Sequence, residues 1–347
     1  MSHKFTNQRI SPVPIDSKNI SSKNPCYIIA EAGSNHDGSL EQAKRLIDAA
    51  AVAGVDAVKF QLFKAEALVI QDDEDFDLIK SIEFNRDWNS ELSIYCRDKN
   101  VHYLATPFDF EAVDLLCDIS SPALKVASGD ITHFPLLEKM AKTKKTIILS
   151  TGKSNMEDVE SAVEFLNSKK SGPLAILHCV ASYPSQVEEL NLRVLSSIKK
   201  RFKVPVGLSD HTMSTTIPAF AVCLGASIIE KHFTLNRNLP GPDHSYALEP
   251  DELTQMVKNI RIAEASLGDG VKKLSETEAQ RPLTGRRGIY SLKPIKKGEV
   301  ITGESVTFVR PQIGISSSMF DKIEGAKASR DIPVNTAFEE SDIETGV

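Results

Sequence analysis

The chain has 347 residues, 41% hydrophobic and 25% charged, with a formal net charge of −6. That is the balance of an ordinary globular protein, and the acidic surplus argues against a nucleic-acid-binding surface. No apolar run approaches the roughly 20 residues a membrane-spanning helix requires. Residues 1–24 are polar, lack the apolar core of a signal peptide, and read as a leader to the first strand. From Tyr27 a short β-rich run, a polar turn and a longer helical stretch alternate. The predicted strands are Tyr27–Ala30, Ala57–Phe60, His102–Ala105, Ala123–Val126, Thr146–Leu149, Leu174–His178, Val204–Gly207 and Ala226–Ile229. In the first helical stretch Leu40, Ala43, Leu46, Ile47 and Ala50 recur at helical spacing. Ser39 and Gln42 form a capping-box pattern at its start and Gly54 a stop at its end.

Eight such units predict a (β/α)8 barrel over residues 25–268. No Gly-x-Gly-x-x-Gly follows the first strand, which counts against a dinucleotide fold. A polar, glycine-containing linker over 269–286 leads to a small, mostly β domain over 287–347. Its expected runs are Ile289–Leu292, Pro294–Gly298, Val306–Val309 and Pro311–Gly314. A domain of that size is marginal alone and is expected to dock on a barrel. The five cysteines show no metal or redox spacing and read as reduced core residues, consistent with the cytoplasm.

A barrel carries its chemistry at the carboxyl ends of its strands, and here those ends are polar. The first gives Glu31; the second Lys59 and Gln61; the third is followed by Thr106. The fourth carries Lys125, Ser128 and Asp130, the fifth Ser150, and the sixth His178 with Ser182 and Tyr183 a turn later. The seventh and eighth end in Ser209-Asp210-His211 and Glu230-Lys231-His232. Two lysines among hydroxyls suit a phosphate or carboxylate; lysine–glutamate pairs that merely hold the barrel mouth are the alternative. His211 and His232, on neighbouring strand ends, suit one divalent metal of the Mn, Co or Zn type, with Glu230 as third ligand or orienter. Capping or core histidines would look the same in sequence.

Several blocks resemble the N-acetylneuraminate (sialic acid) synthase family. They are Ile28–Gly38, Ala57–Gln61, Ala105–Asp109, Leu124–Gly129, Leu149–Gly152, Gly207–Thr212, Ile229–Thr234 and Gly241–His244. Tyr290–Ile343, with Ile295-Lys-Lys-Gly-Glu299 and Arg310-Pro311, is similar to the antifreeze-like (SAF) domain of the same family. The resemblance implies a (β/α)8 barrel with a β-clip SAF domain, and condensation of phosphoenolpyruvate with an N-acylated amino-sugar aldehyde. It implies a metal, Mn above Mg or Co, on His211 and His232. It places Lys59, Lys125, Thr106, Ser128, Ser150 and Ser209 around phosphoenolpyruvate, and Glu31, Gln61, Tyr183, Glu230 and Asp243 on the sugar and metal side. Glu31, Asp130, Asp210 and Glu230 are the expected catalytic carboxylates. Arg310 matches an arginine that reaches the partner's sugar in a domain-swapped homodimer.

Three departures stand out. Asp130 occupies a position usually held by Glu. Ala181 replaces a usual polar residue, leaving a phosphoenolpyruvate contact to be lost or taken over by Ser182. Asp243–Leu248 and Arg287–Tyr290 look more like the spore-coat polysaccharide branch than the neuraminate or legionaminate branches. In addition, the segment between Phe63 and Glu83 is short for the family. The competing readings are a Schiff-base aldolase using Lys59 or Lys125, and a non-catalytic carbohydrate-binding protein.

Overall fold

The computed structural model describes residues 10–280 and 283–344. Residues 1–9 of the expected leader, 281–282 of the expected linker and 345–347 of the expected C-terminal domain lie outside the described residues. The chain divides between Asp269 and Gly270 into two compact units.

Two short strands, β1 (Val13–Ile15) and β2 (Lys18–Ile20), pair as an antiparallel hairpin. Eight parallel strands follow: β3 (Tyr27–Gly33), β4 (Ala57–Leu62), β5 (His102–Pro107), β6 (Ala123–Val126), β7 (Thr146–Ser150), β8 (Leu174–Cys179), β9 (Val206–Asp210) and β10 (Ile228–His232). Their order is β5-β4-β3-β10-β9-β8-β7-β6. β5 and β6 lie side by side without a hydrogen-bonded ladder, so the barrel closes except for that seam. Helices after the strands cover the outside; in Leu40–Ala53 the apolar stripe is buried, Ser39 caps the start and Gly54 ends it at φ 82°.

Alternation along each strand sorts the side chains into two sets. Outward residues such as Ile28, Val58, Leu124, Ile147, Leu208 and Ile229 pack under the helices. Inward residues Tyr27, Ile29, Ala57, Leu104, Ala123, Ile148, Ala175, Leu177 and Ile228 fill the lower barrel. Val13, Ile15 and Ile20 join this inner set, and the Thr146 hydroxyl donates to the Pro14 carbonyl at 2.6 Å. The expected leader is therefore in part a structural plug for the barrel floor. Above this layer the inward positions turn polar.

Several strands run further than their apolar sequences suggest. β3 continues to Gly33, β9 to Asp210 and β10 to His232. Their polar ends remain in the parallel ladder, where Glu230 pairs with Ser209 and Lys231 with Asp210.

The second unit has its own core of Ile289, Ile295, Ile301, Val306, Ile315, Ile323, Ala328, Ile332 and Phe338. Only two of its four expected runs are strands, β11 (Gly288–Ser291) and β12 (Val306–Val309), which pair antiparallel. Of the two runs that begin with proline, Pro294–Gly298 contributes an isolated bridge, Ile295 to Ile332, and Pro311–Gly314 none; proline has no N–H to give a ladder. Within the expected linker, Glu276–Ala279 forms a helical turn whose capping box joins Ser275 and Glu278.

Candidate active site

The polar inward positions line a cavity of about 250 Å³ at the carboxyl ends of the strands. Glu31, Lys59, Gln61, Thr106, Lys125, Ser128, Ser150, Tyr183, Ser209, His211, Glu230 and His232 all reach it. The fold thus gathers twelve of the sixteen residues to which the resemblance assigns roles.

Four charged groups form its base. Lys59 Nζ lies 2.7 Å from Glu31 Oε2 and 3.7 Å from Glu230 Oε2, and donates to Thr106 Oγ1 at 2.9 Å. Lys125 Nζ donates to Ser150 Oγ at 2.6 Å and to the Val126 carbonyl at 2.8 Å, and sits 3.7 Å from Glu230 Oε1. Gln61 donates to Glu31 Oε1 at 2.9 Å, and Ser209 to Glu230 Oε1 at 3.0 Å. Both lysines and both glutamates are buried.

This arrangement separates the two carboxyl groups electrostatically. Burial raises the pKa of Glu31, only partly opposed by Lys59. Burial also pushes Glu230 up, but Lys125 and Lys59 outweigh it and hold the group down to about 2. For Lys59, burial lowers the pKa while Glu230 and Glu31 more than restore it. Burial wins at Lys125, whose pKa is lowered. Carboxyls pushed apart in this way suit different proton-handling roles.

Beside this base stand His211 and His232, with ring centroids 5.3 Å apart. Burial lowers both imidazoles to about 4, so they are neutral at neutral pH. His211 Nδ1 lies 2.8 Å from the Val180 carbonyl, a contact of the kind that orients an imidazole whose other nitrogen holds a metal. His232 Nδ1 is buried without a hydrogen-bond partner. These donors fit a divalent transition metal with most of its sphere left to other ligands. Among the described residues no set of three or more His, Cys, Asp or Glu is arranged to hold a metal.

The other four expected residues lie elsewhere. Asp210 follows Ser209 on β9 and therefore points to the opposite face. It is fully buried, accepts from Lys231 Nζ at 2.7 Å and from the Thr212 N–H at 2.9 Å, and does not line the cavity. Asp130, on the 3-10 turn Ser128–Asp130, is half-buried outside the cavity lining. Burial raises its pKa, and its Oδ2 has no partner. Asp243 is held by Ser34 Oγ at 3.1 Å and Tyr246 OH at 2.5 Å. Burial pushes it up, but the proximity of His232 and these hydrogen bonds leave it lowered. Arg310 is an exposed residue of the second unit.

Some neighbours went unread in the sequence. Tyr246 stacks edge-on to His232 at 5.3 Å and lies 5.2 Å from Tyr183, so aromatic rings flank both histidines. Cys179 is not simply a core cysteine: it lines the cavity, 3.5 Å from Ser128 Oγ. Its odd-numbered register with Ala175 and Leu177 is the signal that could have placed it there. Lys153 also lines the cavity. Ser182 is exposed and outside the lining, so it does not replace the polar group missing at Ala181. His178 bonds the Leu190 carbonyl, and His244 is clamped between Thr234 and Asp37.

A barrel whose carboxyl-end cavity holds buried lysines, hydroxyls, two carboxylates and two neutral imidazoles is a small-molecule site rather than a macromolecular interface. The chain belongs to the NeuB family, which it matches over residues 46–272, followed by an SAF domain over 286–344. It is 40% identical to the N,N'-diacetyllegionaminic acid synthase of Campylobacter jejuni over 319 residues, covering 87% of this chain and 96% of that one. The crystal structure of the spore coat polysaccharide biosynthesis protein SpsE from Bacillus subtilis superposes with a TM-score of 0.68 at 40% identity, covering 97% and 100% of the two chains. The sialic acid synthetase of Leptospira borgpetersenii, solved with citrate, gives a TM-score of 0.74 at 37% identity, covering 78% and 95%. Among the described residues no helix is long and apolar enough to cross a membrane.

Proposed function

We propose that this chain condenses phosphoenolpyruvate with an N-acylated amino-sugar aldehyde, giving a sialic-acid-like nonulosonate and phosphate. The observation that carries the reading is the pairing of Lys59 and Lys125, each beside a hydroxyl, with His211 and His232 in one cavity. The hydroxyls and ammoniums suit a small anion. N-acetylmannosamine and related diacetamido hexoses are the candidate acceptors, by analogy with the synthases of sialic and legionaminic acids.

His211 and His232 would hold a divalent metal, with Mn favoured over Mg and Co. When bound, such an ion supplies Lewis-acid polarisation of the aldehyde oxygen. Lys59 and Lys125 orient phosphoenolpyruvate with its enol carbon toward the aldehyde. Glu230, held anionic between the two lysines, fixes their positions. Glu31, with its raised pKa, is suited to exchange a proton with the water that adds to the oxocarbenium carbon, after which C–O cleavage releases phosphate. Asp243 and Tyr246 flank the sugar side. In the homodimer proposed for this family member, Arg310 of one subunit reaches the acceptor bound by the other.

The lowered pKa of Lys125 favours one second reading, a Schiff-base aldolase, since an imine-forming lysine must be neutral. Borohydride trapping with pyruvate separates the two: the synthase reading predicts no adduct. Phosphate release should require both phosphoenolpyruvate and an acylamino sugar, and should cease in chelator and return with Mn. Unchanged turnover in strong chelator excludes the metal role.

A further inference from the structure

Besides the four buried charges, the cavity wall carries one other cation, Lys153. It follows β7 in the turn Thr151-Gly152-Lys153, where its φ of 54° places it in the left-handed region. Gly152 anchors that turn, its N–H donating to Ser128 Oγ at 2.9 Å. The fit is close: a Cβ on Gly152 would meet Ser128 Oγ at 2.8 Å, and Ala181 Cβ and Cys179 Sγ at 3.0 Å. No Cβ fits there without a shift, so the chain passes tight against the wall formed by Ser128, Cys179 and Ala181. Lys153 is the next residue along that wall. It is exposed and has no hydrogen bond or ion pair among the described residues.

The charges in the cavity explain what such a lysine can do. Lys59 and Lys125 are matched by Glu31 and Glu230, so the base has no excess positive charge. Phosphoenolpyruvate carries about three negative charges at neutral pH, one from its carboxylate and nearly two from its phosphate. The Ala181 side chain in the wall is only a methyl group, and Ser182 does not line the cavity. We infer that Lys153 is a substrate-binding residue that supplies the uncompensated positive charge for the anionic substrate, on the stretch of wall where Ala181 offers no polar side chain. The inference rests on the phosphoenolpyruvate reading of the cavity. Lys153 is the exposed lysine of the cavity wall, whereas Lys59 and Lys125 are buried.

Titration calorimetry with phosphoenolpyruvate tests it, using the full-length protein, Lys153→Met, Lys153→Arg and the double variant Lys153→Met/Ala181→Asn. Thermal denaturation establishes that each is folded. Lys153→Met should bind phosphoenolpyruvate about tenfold more weakly, as expected for loss of one charge-assisted hydrogen bond. The KM for the sugar should stay within about twofold. Lys153→Arg should keep most of the affinity, and Ala181→Asn should restore part of it in the Met background. If the unaltered protein binds phosphoenolpyruvate but folded Lys153→Met binds it equally well, the inference is overturned while the functional reading stands. If the unaltered protein binds none, the functional reading fails and takes the inference with it. Absence of rescue by Ala181→Asn overturns the claim that the two positions serve one stretch of wall.

Discussion

The buried pair between Asp210 and Lys231 offers a sharp test of which carboxylates serve structure and which serve the cavity. Asp210 Oδ2 lies 2.7 Å from Lys231 Nζ, with both side chains essentially inaccessible at 0% and 1% exposure. The carboxylate also accepts from Thr212 through its N–H at 2.9 Å and its hydroxyl at 3.2 Å. Asp210→Ala removes all three partners' acceptor and leaves the Lys231 ammonium facing only neutral oxygens of Thr212. Breaking a buried pair from one side costs about 3–5 kcal/mol, against a total stability of about 5–15 kcal/mol for a typical domain. Asp210→Asn keeps an acceptor for the Thr212 N–H and should lose less. Asp210→Leu/Lys231→Met removes both charges and should recover most of the loss, because a matched apolar pair no longer pays for burying either ion. Urea denaturation followed by circular dichroism measures these differences, with turnover taken per mole of folded protein. Folded Asp210→Asn should retain near-normal turnover. An Asp210→Asn protein of unaltered stability whose turnover falls a hundredfold would refute the structural role and return Asp210 to the reacting centre.

Asp130, with an unpartnered buried oxygen beside the cavity rim, should behave differently: Asp130→Asn is expected to cost about 2–4 kcal/mol of transition-state stabilisation while Asp130→Glu is tolerated. Equal losses in kcat/KM for the two variants would show that a carboxylate is not what the position needs. Acid should destabilise the metal-free protein, because His36, His211 and His232 are all lowered to about 4 from an ordinary 6.5. Between those values the unfolded chain binds more protons than the folded one, so this stability is present above pH 6.5 and is lost as pH falls toward 4, by up to about 1.4 kcal/mol per imidazole per pH unit. A Tm that stays flat from pH 7 to pH 4.5 contradicts the assignment. Mixing Arg310→Ala with His232→Ala should restore part of the activity once subunits exchange, since one hybrid site then joins an intact barrel to an intact arginine. No recovery despite demonstrated exchange removes Arg310 from the partner's site.

The barrel was legible in sequence because eight apolar runs recur with helical stretches between them, and the structure holds a parallel strand at each. Strand ends were less legible. In β9 and β10 the polar residues that signal function continue the ladder, so a reading based on apolar runs stops at Gly207 and Ile229. The same strands contained a usable cue. With a period of two, Ser209 and His211 share one face and Asp210 takes the other, as do Glu230 and His232 against Lys231. Taking polar clusters whole placed Asp210 in the chemistry; taking alternate residues separates it. The hairpin Val13–Ile20 was hidden because three-residue strands leave too few apolar positions to show a period. Lys153 was hidden for another reason: its place on the cavity wall depends on a left-handed turn and on the close passage of Gly152, neither of which spacing reveals.

On the proposed function, the cavity joins the enol carbon of phosphoenolpyruvate to a sugar aldehyde and then breaks the C–O bond. Phosphoenolpyruvate labelled with 18O in its bridging oxygen tests this most directly, with N-acetylmannosamine and diacetamido hexoses offered as acceptors in the presence of Mn. Phosphate should be released only with an acceptor and should carry the label, and the product should have the mass of a nonulosonate. Unlabelled phosphate, with the label retained in pyruvate or in the sugar acid, would contradict the proposed function.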